Sequence, residues 1–290
     1  MSLPPWPPWS EQRARLEAAG FRPSRRLGQN FLRDPSVARA IARDSGVEAG
    51  AFVLEIGPGM GVLSHALLEL GAKLTCVEID PRLLEIAKTH TRGEAEFLCA
   101  DVLAGKHQLE PRVLELLPKT GPWQLVANLP YSVSAPALCV LSDLENPPER
   151  ITALIQKEMA DRICATEGTS DWGQISVRLQ HAYKTDLTRK VPADVFWPRP
   201  KVESGVVHLI RRDPSPGPLE TARLARLVEQ LFQRRRQGLG RVLGDALGKE
   251  KGGRAAADLL LESLGLDSRC RAETLDLSRL LAISNSDLWG

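Results

Sequence analysis

Four consecutive residues, Asn128, Leu129, Pro130 and Tyr131, combine groups that could hold a planar base carrying an exocyclic amino group. The Asn128 side-chain oxygen and a main-chain carbonyl, which we expect to be that of Leu129, could each accept one hydrogen of N6 of adenine. The nitrogen lone pair would then turn toward an electrophile without a metal or a strong general base. Pro130 would fix the backbone, and Tyr131 would provide a ring for stacking. These four residues also fit an ordinary Asn-x-Pro turn.

A glycine-rich loop precedes this motif along the chain. Residues 55–61 read Glu-Ile-Gly-Pro-Gly-Met-Gly and lie between an apolar stretch and a helical pattern. Gly57 and Gly59 would let a ligand approach the backbone closely. The dinucleotide fingerprint G-x-G-x-x-G is not met, because Gly61 comes one residue early and Pro58 lacks an N–H for a pyrophosphate. We therefore expect a cofactor without phosphate, the alternative being a plain strand–helix turn.

Acidic residues stand at the ends of three successive predicted strands, namely Glu55, Glu78 and Asp101. Parallel strands end at one edge of a sheet, so these carboxylates are expected to face one ligand. Glu78 is placed to accept both hydroxyls of a ribose, and Asp101 to accept the amino group of the cofactor's adenine. Asp101 would serve equally well as a helix N-cap.

The elements that must position these residues alternate along the first two thirds of the chain. Predicted strands cover residues 52–56, 74–79, 97–100, 124–127 and 151–155, with helical patterns between several of them. This alternation predicts an α/β fold with a mostly parallel sheet and helices on both faces.

After residue 170 the pattern changes. Residues 175–187 and 202–210 alternate like strands, residues 211–218 form a Pro-rich linker, and residues 220–236, 255–264 and 273–282 have helical periodicity. We place a domain boundary near residue 213. The expected organisation is an extended leader over residues 1–20, an α/β domain over 21–212 and a small all-α domain over 213–290.

Composition restricts the class of protein. The 290 residues are 43% hydrophobic and 26% charged, and no apolar run reaches the roughly 18 residues of a membrane span. The N-terminus lacks the basic start and apolar core of a secretory signal. The cysteines are scattered, and Cys76, Cys99 and Cys139 lie in apolar runs, which indicates buried thiols. We expect a cytoplasmic protein with neither a membrane segment nor a metal site.

Charge is unevenly distributed although the net charge is only +2. Residues 189–254 carry 15 Lys and Arg against 7 Asp and Glu, so the rest of the chain is net acidic. Near the N-terminus, four arginines form a second basic cluster, namely Arg22, Arg25, Arg26 and Arg33. This asymmetry favours a polyanion held against one face, although solvated helical charge would give the same pattern.

Six spaced motifs resemble those of the ribosomal RNA adenine dimethylase family, most closely its bacterial small-subunit branch. They are residues 28–32 (Gly-Gln-Asn-Phe-Leu), 55–59, 77–80, 128–131, 156–158 and 196–202, in the family's order. The resemblance covers about residues 20–285. It implies a Rossmann-like class I methyltransferase domain that uses S-adenosyl-L-methionine. It also implies dimethylation of two adjacent adenines near the 3′ end of 16S rRNA, within an immature 30S subunit. We expect a monomer.

The resemblance also assigns residues to roles. Cofactor contacts fall on Asn30, Leu32, Gly57, Glu78, Asp101 and Asn128, with Gly59 in the same loop, and residues 28–32 would close over the cofactor. Phe196 would stack on the target adenine opposite Tyr131, although it could instead be a core aromatic. RNA contacts are expected at Lys201 and at a basic helix that carries Arg234, Arg235 and Arg236. Two departures are the Pro- and Trp-rich leader and Ser64, where the family usually has Thr.

Two rival functions remain. One is methylation of a large-subunit adenine by a resistance-type member of the same family. The other is a mainly non-catalytic factor that holds an immature small subunit. Leu129 and the basic C-terminal region favour the small-subunit branch. Glu78, Asp101, Asn128 and Tyr131 favour retained activity, because a scaffold has no chemical need for them together.

Overall fold

The computed structural model describes residues 3–24, 28–105 and 108–289. The chain forms two compact units, which we call the sheet unit (Met1–Ala160 and Asp186–Arg211) and the helical unit (Asp161–Thr185 and Arg212–Gly290). The chain passes between the units three times, and the third passage, after Arg211, lies close to the boundary predicted near residue 213.

Residues 161–185, predicted as part of the α/β domain, belong instead to the helical unit. Trp172 explains why. Its side chain is buried in the helical unit's core, and its indole N–H donates to the Leu275 carbonyl at 3.1 Å. This anchoring depends on a contact 103 residues away along the chain, which no local pattern indicates.

The strands are β1 (Phe31–Leu32), β2 (Phe52–Ile56), β3 (Lys73–Glu78), β4 (Glu96–Cys99), β5 (Gln124–Asn128), β6 (Arg150–Gln156), β7 (Tyr183–Val191), β8 (Phe196–Trp197) and β9 (Ser204–Arg211). Among the described residues, seven strands form one sheet in the order β4-β3-β2-β5-β6-β9-β7, and β1 pairs antiparallel with β8. Strands β2 to β6 are parallel to one another, and β9 is antiparallel to β6. The five predicted parallel strands are therefore confirmed. The strand order reverses between β2 and β5, which makes this the switch point where such sheets bind ligands.

The helices up to residue 163 are α1 (Trp9–Ala18), α2 (Pro35–Asp44), α3 (Val62–Glu69), α4 (Pro81–His90), α5 (Pro111–Leu116), α6 (Ser134–Ser142) and α7 (Lys157–Ile163). Two begin with the same device. Asp34 and Asp80 each accept a backbone N–H two residues on, and each precedes a proline at the first helical position. These helices start where the local sequence specifies.

The later helices are α8 (Gln174–Ala182), α9 (Pro218–Gln233), α10 (Leu239–Leu247), α11 (Gly253–Ser263) and α12 (Leu277–Ser284), with short 3₁₀ turns at Ala193–Val195, Lys249–Lys251 and Ala272–Thr274. The predicted helices near 220–236, 255–264 and 273–282 are confirmed with shifted ends, and α10 was not predicted. Strands were predicted over residues 175–187, but the first part of this range is α8. The Ser176 hydroxyl accepts the Gly173 N–H at 3.0 Å and so starts a helix there.

The leader also differs from the extended chain that was predicted. Residues 9–18 form α1, which buries Gln12 and Leu16. The Gln12 amide donates to the Pro7 carbonyl at 2.8 Å and fixes the entry to the helix. Cys99 is exposed rather than buried, because β4 is the edge strand of the sheet.

Candidate active site

One cavity lies at the carboxyl ends of the parallel strands, beside the switch point. It is lined by every residue predicted for cofactor contact and by the four consecutive motif residues, namely Asn30, Leu32, Gly57, Gly59, Glu78, Asp101, Asn128, Leu129, Pro130 and Tyr131. These residues come from the segment around β1 and from the ends of β2, β3, β4 and β5. Phe196 is not among its lining residues.

The glycine loop between β2 and α3 has the backbone conformation that its sequence requires. Gly57 and Gly59 have φ values of +70° and +58°, in the left-handed region. A Cβ on Gly59 would lie 2.8 Å from the Phe31 ring, and one on Gly57 would lie 3.4 Å from Pro130. The loop therefore leaves no room for a side chain at Gly59, and its backbone forms one wall of the cavity.

Glu78, at the end of β3, is buried beneath this loop. Its two carboxylate oxygens accept the N–H groups of Gly59 at 3.1 Å and Asp80 at 3.0 Å. Burial raises the pKa of the Glu78 carboxyl, and these two hydrogen bonds partly oppose the rise. Asp101 is exposed and accepts the Leu103 N–H at 3.0 Å, so it caps a turn rather than a helix. The two carboxylates thus stand on adjacent strands of one cavity.

Glu55 behaves differently from the other two strand-end acids. It is 1% exposed, and its Oε2 accepts the Ser64 hydroxyl at 2.5 Å and the Cys76 thiol at 3.7 Å. Burial raises the pKa of Glu55 to about 8, so the carboxyl is mostly protonated at neutral pH. Ser64 keeps the hydroxyl that threonine would supply in this position, which explains why this departure from the family pattern is mild.

Asn128 ties the end of β5 to the segment around β1. Its Nδ2 donates to the Asn30 carbonyl at 3.2 Å, and the Asn30 side chain donates to the Gly28 carbonyl at 3.1 Å. The Leu129 N–H donates to the Leu154 carbonyl at 3.0 Å. Neither the Leu129 carbonyl nor Asn128 Oδ1 accepts a hydrogen bond within the described parts of the chain. Two acceptors are thus left for a bound amino group.

The two aromatic residues proposed to sandwich a base occupy different environments. Tyr131 lines the cavity, half-buried, with its hydroxyl 3.5 Å from Ser204 Oγ, and burial raises the pKa of its phenol. Phe196 is 3% exposed and belongs to the core cluster that also contains Leu32, its partner in the β1–β8 pair. The structure therefore places Phe196 as a core aromatic, the alternative that the sequence left open.

The cavity is acidic. Glu55, Glu78 and Asp101 line it, and no lysine, arginine or histidine does so among residues 3–24, 28–105 and 108–289. Such a lining suits a cationic ligand and opposes one that carries a pyrophosphate. Across the same described residues, no group of three or more His, Cys, Asp or Glu side chains could hold a metal ion.

The predicted RNA contacts lie outside the cavity. Lys201 is exposed, between β8 and β9. Arg234, Arg235 and Arg236 follow α9, which ends at Gln233, so the prediction that a helix carries them is wrong. Arg234 pairs with Asp245 at 2.7 Å and Arg235 with Glu273 at 2.8 Å, whereas Arg236 is exposed and forms no ion pair with another described residue.

The N-terminal basic cluster is only partly described, since Arg25 and Arg26 lie outside the described residues. Arg22 is exposed, and Arg33 donates to the Asp194 carbonyl at 2.9 Å. No helix within the described ranges is long and apolar enough to cross a membrane.

Several residues around the cavity escaped sequence analysis. Cys76 and Ser204 contact site residues 21 and 73 positions away, and His90 bonds to a loop residue 30 positions away. Ser64 was noted only as a departure from the family motif. The one local signal for Ser64 was its position, since it places a hydroxyl three residues after Gly61, the last glycine of the loop.

Comparisons of the sequence with known proteins agree on one family, and a solved structure shares the fold. The family model for ribosomal RNA adenine dimethylase matches residues 20–282. A relative from Geobacillus thermodenitrificans, named ribosomal RNA small subunit methyltransferase A, is 34% identical over 93% of each chain. A Mycobacterium tuberculosis protein of the same name is 37% identical over 94% of this chain and 86% of its own. The crystal structure of a dimethyladenosine transferase from Plasmodium falciparum has a TM-score of 0.73 at 23% identity, covering 87% of this chain and 95% of that one.

Proposed function

The chain belongs to the ribosomal RNA adenine dimethylase family, and on that premise we propose that it dimethylates N6 of two adjacent adenines near the 3′ end of 16S rRNA. The proposed cofactor is S-adenosyl-L-methionine, and the proposed substrate is the rRNA of an immature 30S subunit in the cytoplasm. The observation that carries the reaction is the juxtaposition of two features: an acidic cavity with no basic side chain among its described lining residues, and two open acceptors at Asn128 and Leu129.

The donor set of the cavity fits this cofactor. A sulfonium and an ammonium group carry positive charge, which Glu78 and Asp101 would favour, with no basic side chain in the described lining to oppose it. Glu78 would accept the ribose hydroxyls, Asp101 the adenine amino group, and Gly57 and Gly59 would admit the ligand to the backbone. The remaining contacts would come from Asn30, Leu32 and Asn128, which join the end of β5 to the segment around β1.

When bound, S-adenosyl-L-methionine supplies an electrophilic methyl group. Asn128 Oδ1 and the Leu129 carbonyl would each accept one N6–H of the target adenine and so direct the nitrogen lone pair. Pro130 holds this backbone in place, since its carbonyl accepts the N–H groups of Val133 and Ser134, both at 3.1 Å. The contribution of these groups is orientation and charge placement.

Tyr131 would provide the stacking face for the base. A second face from Phe196 has support only from the family resemblance, since its ring lies in the core. Replacing Tyr131 by Phe keeps the ring and removes only the contact with Ser204, so Tyr131→Phe serves as the matched control for Tyr131→Ala. We expect roughly a five- to 150-fold loss of transfer in the alanine variant, because stacking on an aromatic is worth roughly 1–3 kcal/mol per base.

The rRNA would be held by basic residues outside the cavity. Lys201 is near β8 in sequence, and Arg234, Arg235 and Arg236 belong to the helical unit. The ion pair of Arg234 is exposed, whereas that of Arg235 is partly buried. Exposed pairs contribute only about 0–1 kcal/mol, so a phosphate could replace the partner of Arg234 most readily.

A labelled-methyl assay tests the function. Wild-type protein and Asn128→Ala are incubated with labelled S-adenosyl-L-methionine and immature 30S or 50S particles, and the labelled nucleotides are mapped. We expect label on adjacent adenines of 16S rRNA with wild type. Asn128→Ala should lose transfer while keeping its affinity for the particle, because the change removes one acceptor of N6–H.

Other outcomes would contradict the proposal. Label in 23S rRNA alone would indicate the resistance-type activity. Tight binding to immature 30S particles with no transfer by wild type would indicate an assembly factor. Equal loss of particle binding and transfer in Asn128→Ala would show that Asn128 is structural.

A further inference from the structure

The leader docks on the outside of the cavity wall. Trp6 lies between two buried histidines, with its ring centroid 5.4 Å from that of His65 and 4.7 Å from that of His90, both edge-on. His65 Nε2 donates to the Pro4 carbonyl at 2.8 Å. Residues 4–6 therefore contact α3, the helix that follows the glycine loop, and the end of α4.

His90 connects this docking to the loop itself. At the last position of α4, its Nδ1 lies 2.8 Å from the Met60 carbonyl oxygen, which can only accept, so the ring donates. Met60 follows Gly59, is 2% exposed and lines the cavity. Burial lowers the pKa of His90, so the ring stays neutral near pH 7 while it makes this bond. Trp6 thus packs against His90, whose ring holds the Met60 carbonyl of the loop by a hydrogen bond.

Helix α1 and the residues after it also pack against residues that line the cavity. Leu16 and Phe21 form a buried cluster with Phe31, Met60 and Leu83, and the last three all line the cavity. A separate set of contacts fixes the end of this segment. The Arg82 guanidinium donates to the Gly20 carbonyl at 3.3 Å and lies 5.1 Å above the Phe21 ring.

We propose that residues 4–21, which we call the N-terminal brace, position the glycine loop and Phe31 for cofactor binding. His90 and Trp6 are positioning residues that act through the Met60 carbonyl. Without the brace the loop would have to be ordered when the ligand binds, and that ordering reduces affinity. The inference rests on the proposed cofactor and goes beyond it by assigning a role to the leader.

The test measures binding of S-adenosylhomocysteine, the unreactive product, by calorimetry, together with hydrogen exchange of residues 57–61 in ligand-free protein. His90→Leu removes the donor, whereas His90→Asn keeps a donor near the Nδ1 position. Trp6→Ala removes the ring between the histidines. The matched control is Trp289→Ala, which removes another half-buried tryptophan, one whose indole donates to the Arg223 carbonyl in the helical unit.

We expect His90→Leu and Trp6→Ala to weaken S-adenosylhomocysteine binding about tenfold and to speed loop exchange. The KM for S-adenosyl-L-methionine should rise with little change in kcat. His90→Asn and Trp289→Ala should stay within about twofold of wild type in both binding and exchange. If Trp6→Ala does not fold, the His90→Leu and His90→Asn pair decides.

Wild-type affinity and loop exchange in both His90→Leu and Trp6→Ala would overturn the brace while leaving the proposed function intact. Absence of binding by wild type would overturn the cofactor assignment and the brace with it. Equal weakening in His90→Leu and His90→Asn would show that ring packing, rather than the hydrogen bond to Met60, holds the loop.

Discussion

At the scale of single residues, the side chains around the cavity differ in where their hydrogen bonds go. Glu55 Oε2 accepts from Ser64 and Cys76 inside the core, and Glu78 accepts two backbone N–H groups. Asn128 Oδ1 and the Leu129 carbonyl keep open acceptors. The strand-end acids therefore have different roles, since Glu55 supports the wall from behind whereas Glu78 and Asp101 remain available to a ligand.

Glu55 should make stability depend on pH. Its folded-state pKa of about 8 lies above the ordinary value of 4.5, so the folded protein keeps a proton that the unfolded chain releases between these values. The stabilisation is therefore complete below about pH 4.5 and is lost as pH rises toward 8. Between these pH values the free energy of unfolding should fall less steeply in Glu55→Gln than in wild type. The two slopes should differ by up to about 1.4 kcal/mol per pH unit.

The measurement is urea denaturation at several pH values between 5 and 8. The control is Glu48→Gln, which changes an exposed carboxyl of the same unit and should keep the wild-type slope. A Glu55→Gln slope equal to that of wild type would mean that Glu55 is ionised in the folded protein.

At the scale of elements, the site is assembled from short pieces that contact each other over long sequence distances. The pair β1–β8 places Leu32 beside Phe196, across more than 160 residues, and the Asn30 carbonyl accepts from Asn128. Residues 28–32 are thus held by the β1–β8 pair and by the Asn128 side chain at the end of β5. Phe196 contributes to this assembly through packing.

Phe196→Ala should lower the free energy of unfolding by about 3–5 kcal/mol, because it removes a ring that is 3% exposed in the core cluster. Urea denaturation measures this loss. Phe196→Leu keeps most of the apolar volume and is the matched comparison, with near wild-type methyl transfer expected. A tenfold or greater fall in transfer by Phe196→Leu at unchanged stability would instead assign Phe196 to base stacking.

At the scale of the whole molecule, each unit has its own core and its own chemistry. The sheet unit contains the acidic cavity and the N-terminal brace. The helical unit buries Trp172 with the leucines of α9 and α10, and contains Arg234, Arg235 and Arg236 after α9. The basic stretch at residues 189–254 spans parts of both units, so the charge asymmetry seen in the sequence does not divide along the unit boundary.

Arg236→Ala should weaken binding to 16S rRNA and reduce the slope of log affinity against log salt by roughly 1, as expected for one lost phosphate contact. Of the three arginines, Arg236 is the best candidate for a phosphate contact, because it forms no ion pair within the described residues. Filter binding at several salt concentrations measures both quantities. Arg269→Ala, which removes an arginine already paired with Asp267 in the same unit, should leave the slope nearer wild type. An unchanged slope in Arg236→Ala would exclude a phosphate contact there.

The sequence by itself determined the features that depend on local order. Alternating apolar strands and helices, the glycine loop and the strand-end polar residues specified a mostly parallel sheet, the edge at which the cavity lies and several of the residues that line it. These follow from the pleat period, from backbone freedom at glycine and from the common edge of parallel strands. Tertiary structure decided where residues with two possible environments went. Phe196 lies in the core, and Glu55 accepts hydrogen bonds from Ser64 and Cys76. Residues 161–185 belong to the helical unit, in whose core Trp172 is buried. The packing of Trp6, in the leader, against His65 and His90 was likewise decided by the tertiary structure. Each of these depends on a partner distant along the chain or on burial of a whole surface, and no local pattern encodes either one.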